Sequence, residues 1–85
     1  MTQAPMTKAT QIILYTRPDC HLCELAEDML EQCQASWYPI DIETDLDLIR
    51  KYGNHIPVLH RPDKDQALFW PFTGEAVRAF IDLEI

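Results

Sequence analysis

Two cysteines three residues apart are the part of this sequence best suited to chemistry. They stand in TRPDCHLC at residues 16–23, where a Pro-Asp turn signal leads into a helical pattern. A thiol at a helix N-terminus meets unpaired backbone N–H groups and the positive end of the helix dipole, and both favour the thiolate that disulfide exchange requires. Cys23, one turn further along, is placed to attack a mixed disulfide formed on Cys20. The spacing therefore offers a nucleophile and a resolving thiol.

The neighbours of this pair carry charges that act on a thiolate. We predict that Arg17 and His21 add positive charge near Cys20 and tune the couple, whereas Asp19 opposes them. Catalytic roles are accordingly assigned to Cys20 and Cys23.

A Cys-x-x-Cys pair can also be half of a zinc site. Zinc needs four ligands, usually from a second close pair, and no second pair exists in this chain. Cys33 lies about 20 Å along a continuous helix at about 1.5 Å per residue, so it is expected to be a small buried hydrophobe outside the site. Only His55 and His60 remain as distant candidate ligands. We predict a redox pair and no metal site.

The elements that must position the cysteines follow from the apolar pattern. A short β-branched run at 12–15 predicts a central strand, and a helix is predicted over 21–34 with one apolar face. A strand over 37–42 contains Pro39 and so belongs at a sheet edge. The members of the predicted apolar helix face are Leu22, Leu25, Ala26, Met29, Leu30 and Cys33.

The second half of the chain predicts a short helix, a hairpin and a final helix. Thr44 is the expected cap of the short helix and Gly53 its end, while Thr73 is expected to cap the last helix. The hairpin strands are predicted at 56–60 and 67–70. The resulting order, β-α-β-α-β-β-α, predicts an α/β fold.

Length and composition limit the alternatives. The 85 residues allow one domain, predicted over 11–85 after a loose leader at 1–10, and no apolar run approaches the roughly 20 residues that span a bilayer. A formal charge of −7 argues against nucleic acid and membrane surfaces as partners. An odd cysteine count and a polar N-terminus without an apolar signal segment predict a cytoplasmic protein.

The stretch LYTRPDCHLC at 14–23, the order of elements, and Ile56-Pro57-Val58-Leu59 after a short helix resemble the small glutaredoxin-like proteins of the thioredoxin-like superfamily. The resemblance covers residues 11–84, and Trp70-Pro71-Phe72 is similar to one branch of that family. It implies a thioredoxin/glutaredoxin-like fold, a four-stranded mixed sheet with three flanking helices. It also implies a thiol-disulfide oxidoreductase, an enzyme whose substrate is a disulfide-bearing protein or a low-molecular-weight thiol.

The same resemblance assigns a substrate-binding role to Ile56 and Pro57. It implies that Pro57 follows a cis peptide bond and helps keep metal away from the thiols, and that the backbone of Ile56 pairs with a substrate. No cofactor is predicted. Glutathione is the co-substrate that the family would bring, but Trp70-Pro71-Phe72 stands where glutaredoxins tend to carry a Gly-Gly turn, and this argues against it.

Two other functions fit the same residues. One is a non-catalytic peptide-binding module that uses the Ile56–Pro57 edge. The other is a metal or iron–sulfur carrier in which Cys20 binds a cluster across a dimer.

Overall fold

Strands and helices alternate through most of the chain, in the predicted order. The computed structural model describes residues 11–82; the leader predicted at 1–10 and the last domain residues, 83–85, lie outside the described residues. The elements are β1 (Gln11–Thr16), α1 (His21–Gln32), β2 (Ser36–Asp41), a 3₁₀ turn (Ile42–Thr44), α2 (Leu46–Tyr52), β3 (Val58–Arg61), β4 (Gln66–Phe69) and α3 (Gly74–Ile81).

The four strands form one mixed sheet in the order β2-β1-β3-β4. β1 pairs parallel with β2 and antiparallel with β3, so it is internal, as its buried apolar run predicts. β2 is an edge strand and has no ladder partner on its outer side, so it can contain Pro39, which has no N–H to donate. The predicted fold, a four-stranded mixed sheet with three helices, is confirmed.

Each face of the sheet carries its own core, because successive side chains of a strand point to opposite faces. On one face Ile12, Leu14 and Leu59 pack with α1 and α3. On the other, Ile13, Tyr15 and Val58 pack with the 3₁₀ turn and α2. The helical and loop residues buried with them are Ala26, Leu30, Phe72, Val77 and Phe80 on the first face, and Ile42 and Tyr52 on the second.

Helix α1 departs from its prediction at both its end and its buried face. It ends at Gln32 because Gln34 adopts a left-handed conformation (φ 57°), and the N–H groups of Gln34 and Ala35 donate to the carbonyls of Glu31 and Leu30. Its buried face is centred on Cys23, Ala26 and Leu30. Leu22 and Leu25, which the periodicity places on the apolar face, lie at the border of the buried face and are 40% and 37% exposed.

The caps of the other helices were predicted in part. Asp45 caps α2, with its carboxylate accepting from the N–H groups of Asp47 and Leu48. The assignment of Thr44 was wrong by one residue, because Thr44 completes the 3₁₀ turn and its hydroxyl donates to the Asp41 carbonyl. Thr73 caps α3 as predicted. Within residues 11–82, no helix combines the length and apolar character needed to cross a bilayer.

Arg61 ties the sheet to the last helix. Its side chain is buried, and its guanidinium donates to the carbonyls of Phe80 and Ile81 at the C-terminal end of α3. It also makes two hydrogen bonds to the Asp63 carboxylate, with N···O distances of 3.2 and 2.7 Å. These hydrogen bonds are the main reason that the pKa of Asp63 lies below its usual 3.8. The Asp63 carboxylate thus neutralises the buried cation at the helix C-terminus, and the carboxylate and the helix carbonyls together fix its orientation.

Replacing Arg61 is expected to loosen α3. Arg61→Met should lower the free energy of unfolding by about 3 kcal/mol, because buried carbonyl groups lose a charged donor. Urea denaturation followed by circular dichroism measures this. Arg50→Met, at an exposed α2 position, is the matched control and should change stability little; an equal loss in both variants would contradict the role of Arg61.

The lowered pKa of Asp63 makes the free energy of unfolding depend on pH. Its carboxylate is charged in the folded and unfolded states above pH 3.8, where its contribution is complete. As the pH falls below that value the unfolded chain binds the proton first, and the contribution is lost as the pH passes the lower folded pKa. Asp63→Asn should therefore be less stable than wild type near neutral pH, and the difference should shrink on acidification to about pH 2. A difference that persists unchanged would contradict this.

Candidate dithiol site

A tight turn after β1 places Cys20 at the start of α1. Asp19 adopts a left-handed conformation (φ 58°), which Asp tolerates better than most side chains, and it follows Pro18 in the turn. Cys20 is then extended (φ −108°, ψ 104°) and occupies the N-cap position. The backbone N–H of Cys23 donates to the Cys20 sulfur at an N···S distance of 3.2 Å. The sulfur thus replaces the oxygen that usually caps a helix.

The two cysteines form a disulfide but differ in their access to solvent. Their Cα atoms are 5.2 Å apart, within the ordinary range for such a bond. Cys23 is 2% exposed and packs in the buried face of α1, whereas Cys20 is only half-buried. A partner disulfide can therefore reach the sulfur of Cys20 far more easily than that of Cys23.

The residues predicted to bind substrate lie at the same end of the sheet. Because Tyr15 pairs with Val58, the chain that leaves β1 toward Cys20 adjoins the chain that enters β3 through Ile56 and Pro57. Pro57 is fully buried and Ile56 is half-buried. The Ile56–Pro57 peptide bond is cis.

An aromatic stack supports this end of the sheet on the face opposite α1. The rings of Tyr15 and Tyr52 are stacked with centroids 4.7 Å apart, and Phe69 packs at an angle on Tyr52. Burial, and then the phenol groups of Tyr52 and Tyr38, raise the pKa of Tyr15 above its usual 10.0. Tyr15 therefore stays neutral around pH 7 and adds no charge beneath the site.

The two residues predicted to tune the thiols are both engaged by carboxylates. The Arg17 guanidinium donates from two nitrogens to one oxygen of Glu43, at 3.2 and 3.0 Å. His21 is exposed, and its Nδ1 lies 3.8 Å from a carboxylate oxygen of Glu24. Glu43 thus offsets the positive charge that Arg17 was expected to bring to Cys20. Sequence reasoning missed Glu43 because its partner is 26 residues away, and no local pattern joins them.

The remaining candidate metal ligands each contact other groups. Cys33 is half-buried beside the first core, with its sulfur 3.9 Å from the Gly74 carbonyl. His55 packs against Phe69, and the Nε2 atom of His60 lies 3.4 Å from the Asp65 carboxylate. Across residues 11–82, the structure brings together no group of three or more His, Cys, Asp or Glu side chains that could hold a metal ion.

The turn into α3 contains a feature that the sequence interpretation did not include. The Trp70–Pro71 peptide bond is also cis. The rings of Trp70 and Phe72 meet edge to face with centroids 5.0 Å apart, and Phe72 is buried in the first core. The bulky residues of this turn are therefore packed into the protein, in place of an open glycine turn.

The sequence matches a known protein family. The model of the glutaredoxin-like domain family (DUF836) matches residues 11–82. The chain therefore belongs to the glutaredoxin-like domain family, as the sequence resemblance indicated. Among curated proteins, no significant match was found.

Solved structures share the fold. The X-ray structure of target protein XcR50 from X. campestris is 39% identical, with a TM-score of 0.77 over 84% of this chain and 95% of that chain. The solution NMR structure of protein Ne2328 from Nitrosomonas europaea is 24% identical, with a TM-score of 0.75 over 92% of this chain and 98% of that chain. The second likeness concerns the fold alone.

The difference in exposure predicts unequal thiol reactivity. In the reduced protein, Cys20 should be alkylated by iodoacetamide roughly tenfold or more faster than Cys23, because it is accessible and lies at the helix N-terminus. Quenched time points analysed by peptide mass spectrometry give the three rates, with Cys33 as an internal reference. Faster labelling of Cys23 would contradict the assignment.

Proposed function

We propose that the protein is a thiol-disulfide oxidoreductase. The observation that carries the proposal is the arrangement of the two sulfurs: Cys20 is accessible at the N-cap of α1, and Cys23 is buried one turn behind it at disulfide distance. A purely structural disulfide does not need one accessible sulfur at a helix N-terminus, whereas exchange with a partner does.

The reaction has two steps. The Cys20 thiolate attacks one sulfur of a substrate disulfide; a new S–S bond forms, the substrate bond breaks, and the first substrate sulfur leaves as a thiolate that takes up a proton. The Cys23 thiolate then attacks the Cys20 sulfur and expels the second substrate thiolate. The substrate gains two electrons and the protein becomes the Cys20–Cys23 disulfide. A thiol or dithiol reductant returns it to the dithiol.

The other residues of the site bind or orient the partner and take no direct part in the thiol-disulfide exchange. In this proposal the backbone of Ile56 pairs with an extended segment of the partner, and buried Pro57 fixes that backbone beside Cys20. The partner is a disulfide-bearing protein or a low-molecular-weight thiol, and the compartment is the cytoplasm, whose thiol pool serves as reductant. Arg17 and His21 act only as weak tuning residues, since each is paired with a carboxylate.

Three single variants test the roles of the cysteines. Cys20→Ser should abolish reduction of bis(2-hydroxyethyl) disulfide, because it removes the attacking sulfur. Cys23→Ser should retain the first step and accumulate a mixed disulfide on Cys20, visible as an added mass that a reductant removes. Cys33→Ser is the matched control and should keep turnover near that of wild type.

Two outcomes would contradict the proposal. Turnover that survives Cys20→Ser would assign the chemistry to another group. A wild-type protein that reduces no disulfide, and that has iron and visible absorption when purified without oxygen, would favour the cluster-carrier alternative.

A further inference from the structure

The outer face of α1 exposes apolar side chains next to the reactive cysteine. We define this face by the i, i+3 row Leu22, Leu25, Asp28 and Glu31, together with Glu24 beside Asp28. The row winds from the border of the buried face, where the leucines lie, to the acidic side of the helix, and all five residues are exposed. The two leucines lie two and five residues after Cys20, on the helix that Cys20 caps. At about 1.5 Å per residue, Leu25 is only about 8 Å along the axis from Cys20. A partner held at Cys20 is therefore within reach of this face.

The same face is strongly negative. Helix α1 contains four acidic residues and no Lys or Arg, and Asp19 precedes it. The neighbouring cation, Arg17, is already paired with Glu43. The imidazole of His21 lies beside the Glu24 carboxylate. A partner that approaches Cys20 along α1 thus meets exposed leucines with a surplus of carboxylates beside them.

We propose that the preferred partner is a protein disulfide whose cysteine is followed by an apolar residue and by Lys or Arg. This inference rests on the proposed function and names its substrate class. Apolar contact with Leu22 and Leu25 removes their exposed surface from water, and basic side chains complement Glu24, Asp28 and Glu31. The same field disfavours oxidised glutathione, which carries net negative charge.

Geometry limits where the basic residue stands in the partner. Asp28 lies about 12 Å along the axis from Cys20. An extended peptide advances about 3.3 Å per residue, so a Lys or Arg two to four residues from the partner cysteine brings its charge over Glu24 or Asp28. Closer positions fall over the Cys20 turn itself.

Two peptides that differ only in charge test the inference. Each peptide contains one cysteine, as a mixed disulfide with 2-mercaptoethanol. The residue after the cysteine is Leu. The third and fourth residues after the cysteine are both Lys in one peptide and both Glu in the other. At about 20 mM ionic strength, kcat/KM of the wild type should be roughly tenfold higher for the Lys peptide. At about 0.5 M NaCl the ratio should fall to about two, because salt screens exposed charges.

Charge variants assign the preference to α1. In Glu24→Gln/Asp28→Asn/Glu31→Gln, the ratio between the two peptides should fall to about two at low salt. The matched control, Asp47→Asn/Glu75→Gln/Asp82→Asn, removes the same net charge from residues outside α1 and should keep most of the preference. Leu22→Ser/Leu25→Ser should raise KM for the Lys peptide more than for its counterpart with Ser in place of Leu.

The outcomes separate this inference from the proposed function. Equal kcat/KM for the two peptides, or a preference that both triple variants keep or both lose, would overturn the acidic docking face while turnover itself supports the oxidoreductase. Higher activity on oxidised glutathione than on the Lys peptide would also overturn it. Failure to reduce either peptide or bis(2-hydroxyethyl) disulfide would overturn the proposed function instead.

Discussion

The hydrogen bond from the Cys23 N–H to the Cys20 sulfur is the contact on which the site depends. It makes Cys20 the cap of α1, so the same sulfur ends a turn, begins a helix and remains accessible. A capping group satisfies an N–H that the helix cannot pair, and it also receives the positive end of the helix dipole, which favours a negative sulfur. When the disulfide opens, the Cys20 thiolate is held by interactions that already exist in the folded protein. The fold therefore stabilises the reduced form of the couple at one particular sulfur.

The rest of the structure holds that cap in place. β1 is internal in the sheet and apolar on both faces, so neither its position nor its register can shift without exposing one of the two cores. Its last residues lead directly into the turn that ends at Cys20, and its pairing with β3 brings Pro57 to the same end of the sheet. At the opposite end of β3, Arg61 secures α3 against the sheet.

Much of this could be predicted from the sequence, where the signal was local and repeated. The buried run of β1, the edge position of Pro39, the Thr73 cap and the Cys-x-x-Cys at a helix start all follow from short-range rules. Periodicity identified the apolar face of α1 but not how much of it is buried, because that depends on what packs against the helix; Leu22 and Leu25 belong to that face and are nevertheless exposed. Contacts between residues far apart in the chain could not be predicted. No local sequence pattern indicates that Arg17 pairs with Glu43 or that Arg61 donates to the end of α3.

In the proposed function Cys20–Cys23 is a catalytic couple and not a structural bond, and its reduction potential tests this most directly. The protein is equilibrated with thiol–disulfide buffers of known potential, and the reduced fraction is measured by alkylation of Cys20 and mass spectrometry. Because the fold stabilises the Cys20 thiolate, we predict a reversible midpoint between about −270 and −180 mV, the range of thioredoxin, glutaredoxins and protein disulfide isomerase. A couple that stays oxidised below about −300 mV, as structural disulfides do, would contradict the account.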